Sequence, residues 1–167
     1  IAFETSGDIS VYIETKDGNV DVDGSKKVPA ASVIKVPIMI EGLRQQEQGQ
    51  FDLNRRIMIQ QKDIVGGGGV IRRLSENVQL TYRDLMELMI IVSDNTASNI
   101  LAETLGFDSI NGMCRQIGCQ QTELQRSFMA PRNDKDNYTS AVDMVKILKE
   151  MFDGDMLSQK SKEIAFT

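Results

Sequence analysis

The sequence contains no histidine, no tryptophan, two cysteines and three prolines in 167 residues. Because histidine is missing, a Ser-His-Asp or Cys-His catalytic unit and a histidine-liganded metal site are excluded. Acid or base catalysis would therefore fall to Asp, Glu, Lys, Tyr or Cys. The two cysteines, Cys114 and Cys119, are compatible with a disulfide or with two buried free thiols, and free thiols are the commoner case.

Positive charge is also scarce, since 19 Lys plus Arg stand against 24 Asp plus Glu, for a net charge of −5. Nucleic acids and anionic membrane surfaces are therefore not expected partners. No apolar run reaches the roughly 18 residues of a membrane span, and the chain opens without a basic and apolar signal segment. The composition, 41% hydrophobic and 26% charged, is typical of one ordinary globular domain and carries no signal for the oligomeric state.

The hydrophobic pattern predicts a β-hairpin followed by helices. Residues 9–15 and 20–22 flank an Asp17-Gly18 turn, which favours the hairpin. From Ser32 the apolar spacing predicts a helix to about Gly49. Further helices are predicted over 81–92, 96–105, 109–117 and 140–151, the first and last opened by the capping pairs Thr81/Asp84 and Ser140/Asp143.

Two segments between these helices are predicted to be loops. The four consecutive glycines 66–69 are not followed by Gly-Lys-Ser/Thr, so a phosphate-binding loop is disfavoured and a flexible loop is expected. Residues 126–138 are polar, with Pro131 among them, and indicate a second loop.

Ser32 and Lys35 form a Ser-x-x-Lys motif at the predicted start of the first helix. Their side chains would share one helix face, and helix N-terminal N–H groups could stabilise an oxyanion at the serine. A lysine takes a serine proton only when neutral, and burial among apolar neighbours can lower its pKa toward roughly 7 to 8. Alone the motif is weak, because chance gives about 0.7 occurrences in this composition. A capping serine followed by a surface lysine is the plain alternative.

Ser93-Asp94-Asn95 is the second motif, and chance gives only about 0.05 occurrences of it. Together with Ala31 to Lys35, it resembles the serine β-lactamase and penicillin-binding enzyme superfamily, in particular its class A β-lactamase branch. The resemblance runs from about Ile9 to Met151. A turn that caps the next helix is the purely structural interpretation of residues 93–95, and it is compatible with a catalytic role.

The resemblance implies roles for four side chains. Ser32 would be the acylated nucleophile, and Lys35 the amine that accepts or relays its proton. Ser93 would pass a proton to the leaving nitrogen, while Asn95 would hold the substrate's side-chain amide and orient the lysine. The resemblance also implies a β-lactam or a peptidoglycan peptide as substrate, no metal or organic cofactor, and a secreted or periplasmic location.

The expected fold is α/β and β-lactamase/transpeptidase-like, with a predominantly helical subdomain packed on an antiparallel sheet. We expect one catalytic domain over 1–167, with N-terminal strands in 1–31, a mainly helical part in 32–151 and a tail in 152–167. The family's third motif, Lys-Thr/Ser-Gly, should follow the last helix, but the nearest match, Lys160-Ser161-Lys162, lacks the glycine. The C-terminal strands are therefore expected to be missing from this chain, which would leave the truncated form slow or inactive.

A second departure from the family concerns the loop that begins at Arg126. Arg126 and Asp136 resemble the ion pair that anchors this loop in the family. Class A β-lactamases carry a glutamate two positions after the arginine to activate the hydrolytic water, and Phe128 occupies that position here. Three functions therefore stay open: β-lactam hydrolysis, D-Ala-D-Ala peptidase or esterase activity, and a non-hydrolysing penicillin-sensing or acyl-trapping role.

Overall fold

The structure is a computed structural model that describes residues 7–166. This part of the chain contains six α-helices and six short strands. The helices are α1 Lys35–Glu47, α2 Tyr82–Ile91, α3 Asn95–Leu105, α4 Phe107–Gln116, α5 Ala141–Asp153 and α6 Gln159–Phe166. The strands are β1 Val11–Thr15, β2 Gly18–Val22, β3 Val28–Pro29, β4 Arg56–Met58, β5 Gln79–Thr81 and β6 Tyr138–Thr139.

The strands pair as three antiparallel ladders. The predicted hairpin is confirmed as β1 and β2, with Val11 opposite Val22. β3 pairs with β6 and β4 pairs with β5, in ladders of two and three residues. The ladder of β3 and β6 places the segment before Ser32 beside the segment that follows the loop of residues 126–137. The helix-rich architecture with antiparallel strands agrees with the expected α/β fold.

Helix α1 lies at the centre of the molecule and positions the first motif. It packs against α2, α3, α4, α5 and α6, so its side chains are buried on several faces. Pro37 lies in the first turn of the helix, where its missing N–H costs little. The apolar side chains that fix α1 in the core are wholly buried: Ile34, Ile38, Ile40 and Leu43.

Both predicted capping pairs begin helices. At the start of α2, the Thr81 side chain accepts from the backbone N–H of Asp84, and the Asp84 carboxylate accepts from Thr81 in return. At the start of α5, the Ser140 hydroxyl accepts from the N–H of Asp143. The Asp143 carboxylate instead accepts from the consecutive backbone N–H groups of residues 120–122, which joins α5 to the segment before the second loop.

The described end of the chain is helical. Lys160, Ser161 and Lys162 lie in α6, and Ser161 is buried. The Ser158 backbone and hydroxyl both donate to Glu47 at the end of α1, at 2.9 and 2.6 Å. Over residues 7–166, every helix is too short or too polar to cross a membrane.

Cys114 and Cys119 are free, buried thiols, as the commoner interpretation of their spacing predicted. Burial raises the pKa of Cys114 to about 12 and that of Cys119 to about 11. Because the thiolate is the reactive form, these groups belong to the packed interior rather than to a reactive site.

Candidate active site

Ser32 lies in a 3-10 turn, Ala31–Ile34, that leads directly into α1, and Lys35 is the first residue of that helix. The serine is exposed, whereas Lys35 is only 2% exposed. Ala31 has a φ of +46° and Ser93 a φ of +54°. A left-handed backbone conformation in a residue other than glycine costs on the order of 1 to 3 kcal/mol. Such residues are concentrated at functional sites.

The second motif forms the connection between α2 and α3. Asp94 is the N-cap of α3, and its Oδ1 accepts from the N–H of Ala97 at 3.1 Å. Its Oδ2 accepts from the N–H groups of Val70 and Ile71 at 2.6 and 2.8 Å. One buried carboxylate therefore fixes both the start of α3 and the chain that follows the glycines.

A continuous chain of hydrogen bonds joins the two motifs. The Lys35 Nζ donates to the Ser93 Oγ at 2.8 Å, to the Ser93 carbonyl at 2.8 Å and to the Asn95 Oδ1 at 3.0 Å. The Ser93 hydroxyl lies 2.8 Å from the Ser32 Oγ and donates to it. The link from the amine to Ser32 thus runs through the Ser93 hydroxyl.

The surroundings of Lys35 favour its neutral form. Burial lowers the pKa of Lys35 from 10.5 to about 8, against the opposing charge of the Asp94 carboxylate. With this pKa, about a tenth of the molecules carry a neutral amine at pH 7. The amine is therefore suited to accept a proton in the physiological range.

The second loop is closed by an ion pair and held against α3. The Arg126 Nη2 and Nε donate to the Asp136 Oδ1 at 2.7 and 3.0 Å, and the Nη1 donates to the Ala130 carbonyl. Partial burial acts to raise the pKa of Asp136, but hydrogen bonds from Arg126 and the Asn137 N–H, together with the charges of Arg126 and Arg132, outweigh it, so this pKa lies below its ordinary value. The backbone of Phe128 exchanges two hydrogen bonds with the Asn99 side chain, at 2.7 and 3.1 Å.

The closed loop directs an aromatic ring at the amine. The Phe128 ring centroid lies 4.7 Å from the Lys35 Nζ. At the position where the resemblance implies a glutamate, this chain presents an apolar face to Lys35. The contact weakly favours the charged amine but supplies no base for a water molecule.

A cavity of about 210 Å³ opens beside Ser32. It brings together the first motif, the second motif and the second loop, including both partners of the ion pair. Its lining consists of Ala31, Ser32, Asn95, Arg126, Phe128, Met129, Asp136 and Asn137.

Two features of the site were not anticipated from the sequence. Asn99 follows Asn95 by four positions, a spacing that puts both amides on one face of α3, but no separate signal marked it. The glycines 66–69, expected to form a flexible loop, lie directly against the second motif: the N–H of Asn95 donates to the Gly68 carbonyl, and its Nδ2 donates to the Gly66 carbonyl.

A serine hydroxyl linked through a second hydroxyl to a buried amine of lowered pKa defines a class of serine acyl-transfer enzymes that work without histidine. Comparison with known proteins agrees with this chemistry. The model of the β-lactamase enzyme family matches residues 1–167. The chain therefore belongs to the β-lactamase enzyme family.

The relatives include β-lactamases and a penicillin-binding protein. The chain is 28% identical to β-lactamase BRO-1 of Moraxella catarrhalis over 152 residues, covering 86% of this chain and 48% of that protein. The crystal structure of a β-lactamase from Sphaerobacter thermophilus has a TM-score of 0.88 and 29% identity, over 93% of this chain and 60% of that one. A mutant of PBP-A, solved as its acyl-enzyme complex with penicillin G, has a TM-score of 0.81 and 26% identity, over 93% and 58%. The chain spans about half the length of the curated relatives it matches.

Proposed function

We propose that the complete protein is a serine hydrolase that opens β-lactam amide bonds through an acyl-enzyme on Ser32. The observation that carries this proposal is the chain of hydrogen bonds from Ser32 through the Ser93 hydroxyl to Lys35, in two steps of 2.8 Å. The substrate class is supported by the relatives named as β-lactamases and by the penicillin G acyl-enzyme of the PBP-A mutant.

Acylation follows from this geometry. Neutral Lys35 draws a proton through the Ser93 hydroxyl as the Ser32 oxygen attacks the lactam carbonyl, and the N–H of Ser32 in its helical turn stabilises the oxyanion. The carbonyl carbon to nitrogen bond then breaks, the Ser93 hydroxyl passes a proton to the departing nitrogen, and the Lys35 ammonium returns the proton it took to the Ser93 oxygen. Asn95, whose Oδ1 accepts from the Lys35 Nζ, binds the substrate's side-chain amide. The products are a Ser32 ester and a ring-opened amine.

The loop and the cavity complete the proposed site. The Arg126 and Asp136 pair anchors the loop that walls the cavity beside Ser32, and the small-molecule substrate enters there. As the resemblance implies, we propose that the protein acts outside the cytoplasm, secreted or in the periplasm.

A second candidate is a penicillin-binding protein that keeps the acyl group, and the position of Phe128 favours it. Ester hydrolysis needs an activated water, and Phe128, at the sequence position where the resemblance implies a glutamate, turns its ring toward Lys35. Deacylation then depends on Lys35 alone, which predicts a long-lived acyl-enzyme.

The two candidates differ in the fate of the acyl-enzyme. The complete protein would be mixed with a chromogenic cephalosporin and, separately, with a fluorescent penicillin. Continuous colour release supports the hydrolase, whereas one covalent equivalent without turnover supports the acyl-trapping protein. Absence of both signals, with cleavage of D-Ala-D-Ala peptides, would contradict both and favour a peptidase.

A further inference from the structure

The backbone of residues 65–71 runs alongside the backbone of the second motif. The N–H of Asn95 donates to the Gly68 carbonyl at 3.2 Å, and its Nδ2 donates to the Gly66 carbonyl at 3.1 Å. Two N–H groups just beyond the glycines are held by Asp94 at 2.6 and 2.8 Å. The two backbones therefore lie closer together than side chains between them would permit.

Three consecutive glycines each face one residue of the motif. A Cβ on any of them would meet a polar atom of Ser93, Asp94 or Asn95 at a distance that requires movement. The facing pairs are Gly67 with the Asn95 Nδ2 at 2.5 Å, Gly68 with the Ser93 carbonyl oxygen at 3.0 Å, and Gly69 with the Asp94 carboxylate.

The Gly68 contact reaches the proposed chemistry most directly. The carbonyl that its Cβ would push is the Ser93 oxygen that accepts from the Lys35 Nζ at 2.8 Å. Gly67 lies against the Asn95 amide whose Oδ1 binds the same amine, and also against the Met129 side chain at the mouth of the cavity. Gly66 differs, because a Cβ there would meet nothing within 4 Å.

We infer that Gly67–Gly69 is a positioning segment that sets the placement of Ser93 and Asn95 relative to Lys35 and Ser32. The inference rests on the proposed function, since it assigns to these glycines the alignment of the acylating groups. It explains why a run without side chains lies against the motif in which Ser93 holds a left-handed backbone. A Cβ at Gly68 would require the Ser93 carbonyl to move by a few tenths of an ångström, and a Cβ at Gly67 would displace the Asn95 amide further.

The test compares Gly68→Ala with Gly66→Ala in the complete protein. Neither glycine has a positive φ, so the two variants differ mainly in the contact with the Ser93 carbonyl. Stopped-flow acylation by a fluorescent penicillin, over a range of concentrations, gives the acylation rate constant and the dissociation constant of the noncovalent complex. We expect Gly68→Ala to lower the rate constant about ten- to a hundredfold with little change in the dissociation constant. Gly66→Ala should stay within about twofold of the parent in both.

Gly67→Ala provides a second variant with a different signature. Its methyl group would displace the Asn95 amide, and Gly67 has a φ of +79°, which alanine adopts only with strain. We therefore expect this variant to be less stable, and in its folded form to bind the noncovalent ligand more weakly as well as to be acylated more slowly. A loss of stability alone would reduce the folded fraction but leave both constants of the folded protein unchanged. If Gly68→Ala does not fold, Gly67→Ala decides alone: an increased dissociation constant supports the inference and an unchanged one overturns it.

The remaining outcomes are also separable. Parent-like constants for Gly68→Ala, or an equal loss in Gly66→Ala and Gly68→Ala, would overturn the inference while the proposed function stands. A parent protein that the penicillin does not acylate would overturn the proposed function and the inference together.

Discussion

At the scale of single residues, Lys35 combines burial with three polar acceptors. The acceptors are the two oxygens of Ser93 and the Oδ1 of Asn95, all uncharged, within 3.0 Å of the Nζ. Uncharged acceptors compensate less of the desolvation cost than a carboxylate would, which fits a pKa near 8. The amine thus has no carboxylate among these hydrogen-bond acceptors, and burial outweighs the charge of the nearby Asp94.

This leads to a prediction for the pH dependence of acylation. The reactive form is the neutral amine, so the rate constant for acylation should rise about tenfold per pH unit below the pKa of Lys35 and level off above about pH 8. Stopped-flow acylation by a fluorescent penicillin, measured from about pH 6 to about pH 10, gives this profile. A profile that continues to rise toward 10.5, the ordinary lysine value, would show that burial does not activate the amine.

Phe128 gives a second prediction at this scale. Phe128→Glu would bring a carboxylate to the side of Lys35 that the ring now covers, where it could activate a water for ester hydrolysis. We expect deacylation to accelerate by about tenfold or more. The lifetime of the fluorescent acyl-enzyme in a chase with unlabelled penicillin measures this change.

The control for this substitution is Phe128→Gln, which also removes the ring but brings no base. Its acyl-enzyme should persist about as long as that of the parent protein. Equal deacylation rates in the Glu and Gln variants would refute the role assigned to the missing carboxylate.

At the scale of elements, Asp143 joins α5 to the chain that leads into the second loop. Its Oδ2 accepts from the N–H groups of Gln121 and Thr122 at 2.7 and 2.8 Å and from the Thr122 hydroxyl at 3.1 Å. Asp143 is 2% exposed and Thr122 is also buried, so the two Thr122 donors have little access to water in place of the carboxylate. The contact fixes where the segment before Arg126 leaves the helical layer.

We therefore predict that Asp143→Asn lowers the free energy of unfolding by about 2 kcal/mol, because an amide presents a single acceptor oxygen to several buried donors. Urea unfolding followed by circular dichroism measures the change. The matched control is Asp153→Asn at the exposed end of the same helix, expected within about 0.5 kcal/mol of the parent. Equal effects at the two positions would contradict the role assigned to Asp143.

How much the sequence could predict at this scale depends on how far apart in the sequence the contacting residues lie. The starts of α2 and α5 were predictable because Thr81 and Ser140 cap through residues only three positions away. The ladder of β3 and β6 was not predicted, because two residues are too few to show the alternation of apolar and polar side chains that marks a strand. The bond between Lys35 and Asn95 joins residues 60 positions apart, and only the resemblance of the two motifs pointed to it. The bond between Lys35 and Ser93 was not predicted.

Local sequence patterns could not predict how the loops pack. The glycines 66–69 have no periodicity of their own, and their fit against Asn95 depends on where α3 begins. The ring of Phe128 reaches Lys35 only because Arg126 closes the loop and Asn99 holds its backbone. Such contacts become visible only once the elements are assembled.

At the scale of the whole molecule, the candidate site lies where three separate parts of the chain converge. The 3-10 turn that leads into α1, the first residue of α3 and the loop of residues 126–137 surround one cavity of about 210 Å³. Each part is fixed by contacts of its own. The core fixes the turn that leads into α1, the Asp94 carboxylate fixes the second motif, and the ion pair fixes the loop. Convergence of rigid supports on an exposed hydroxyl is what nucleophilic catalysis requires.

The central claim is that this convergence makes Ser32 the acylated nucleophile. The most direct measurement is mass spectrometry of the complete protein after incubation with benzylpenicillin, followed by peptide mapping, with Ser32→Ala treated in parallel. We predict one penicilloyl adduct per molecule, on the peptide that contains Ser32, and none in the variant. An adduct that survives in Ser32→Ala, or one that maps to another residue, would contradict the claim.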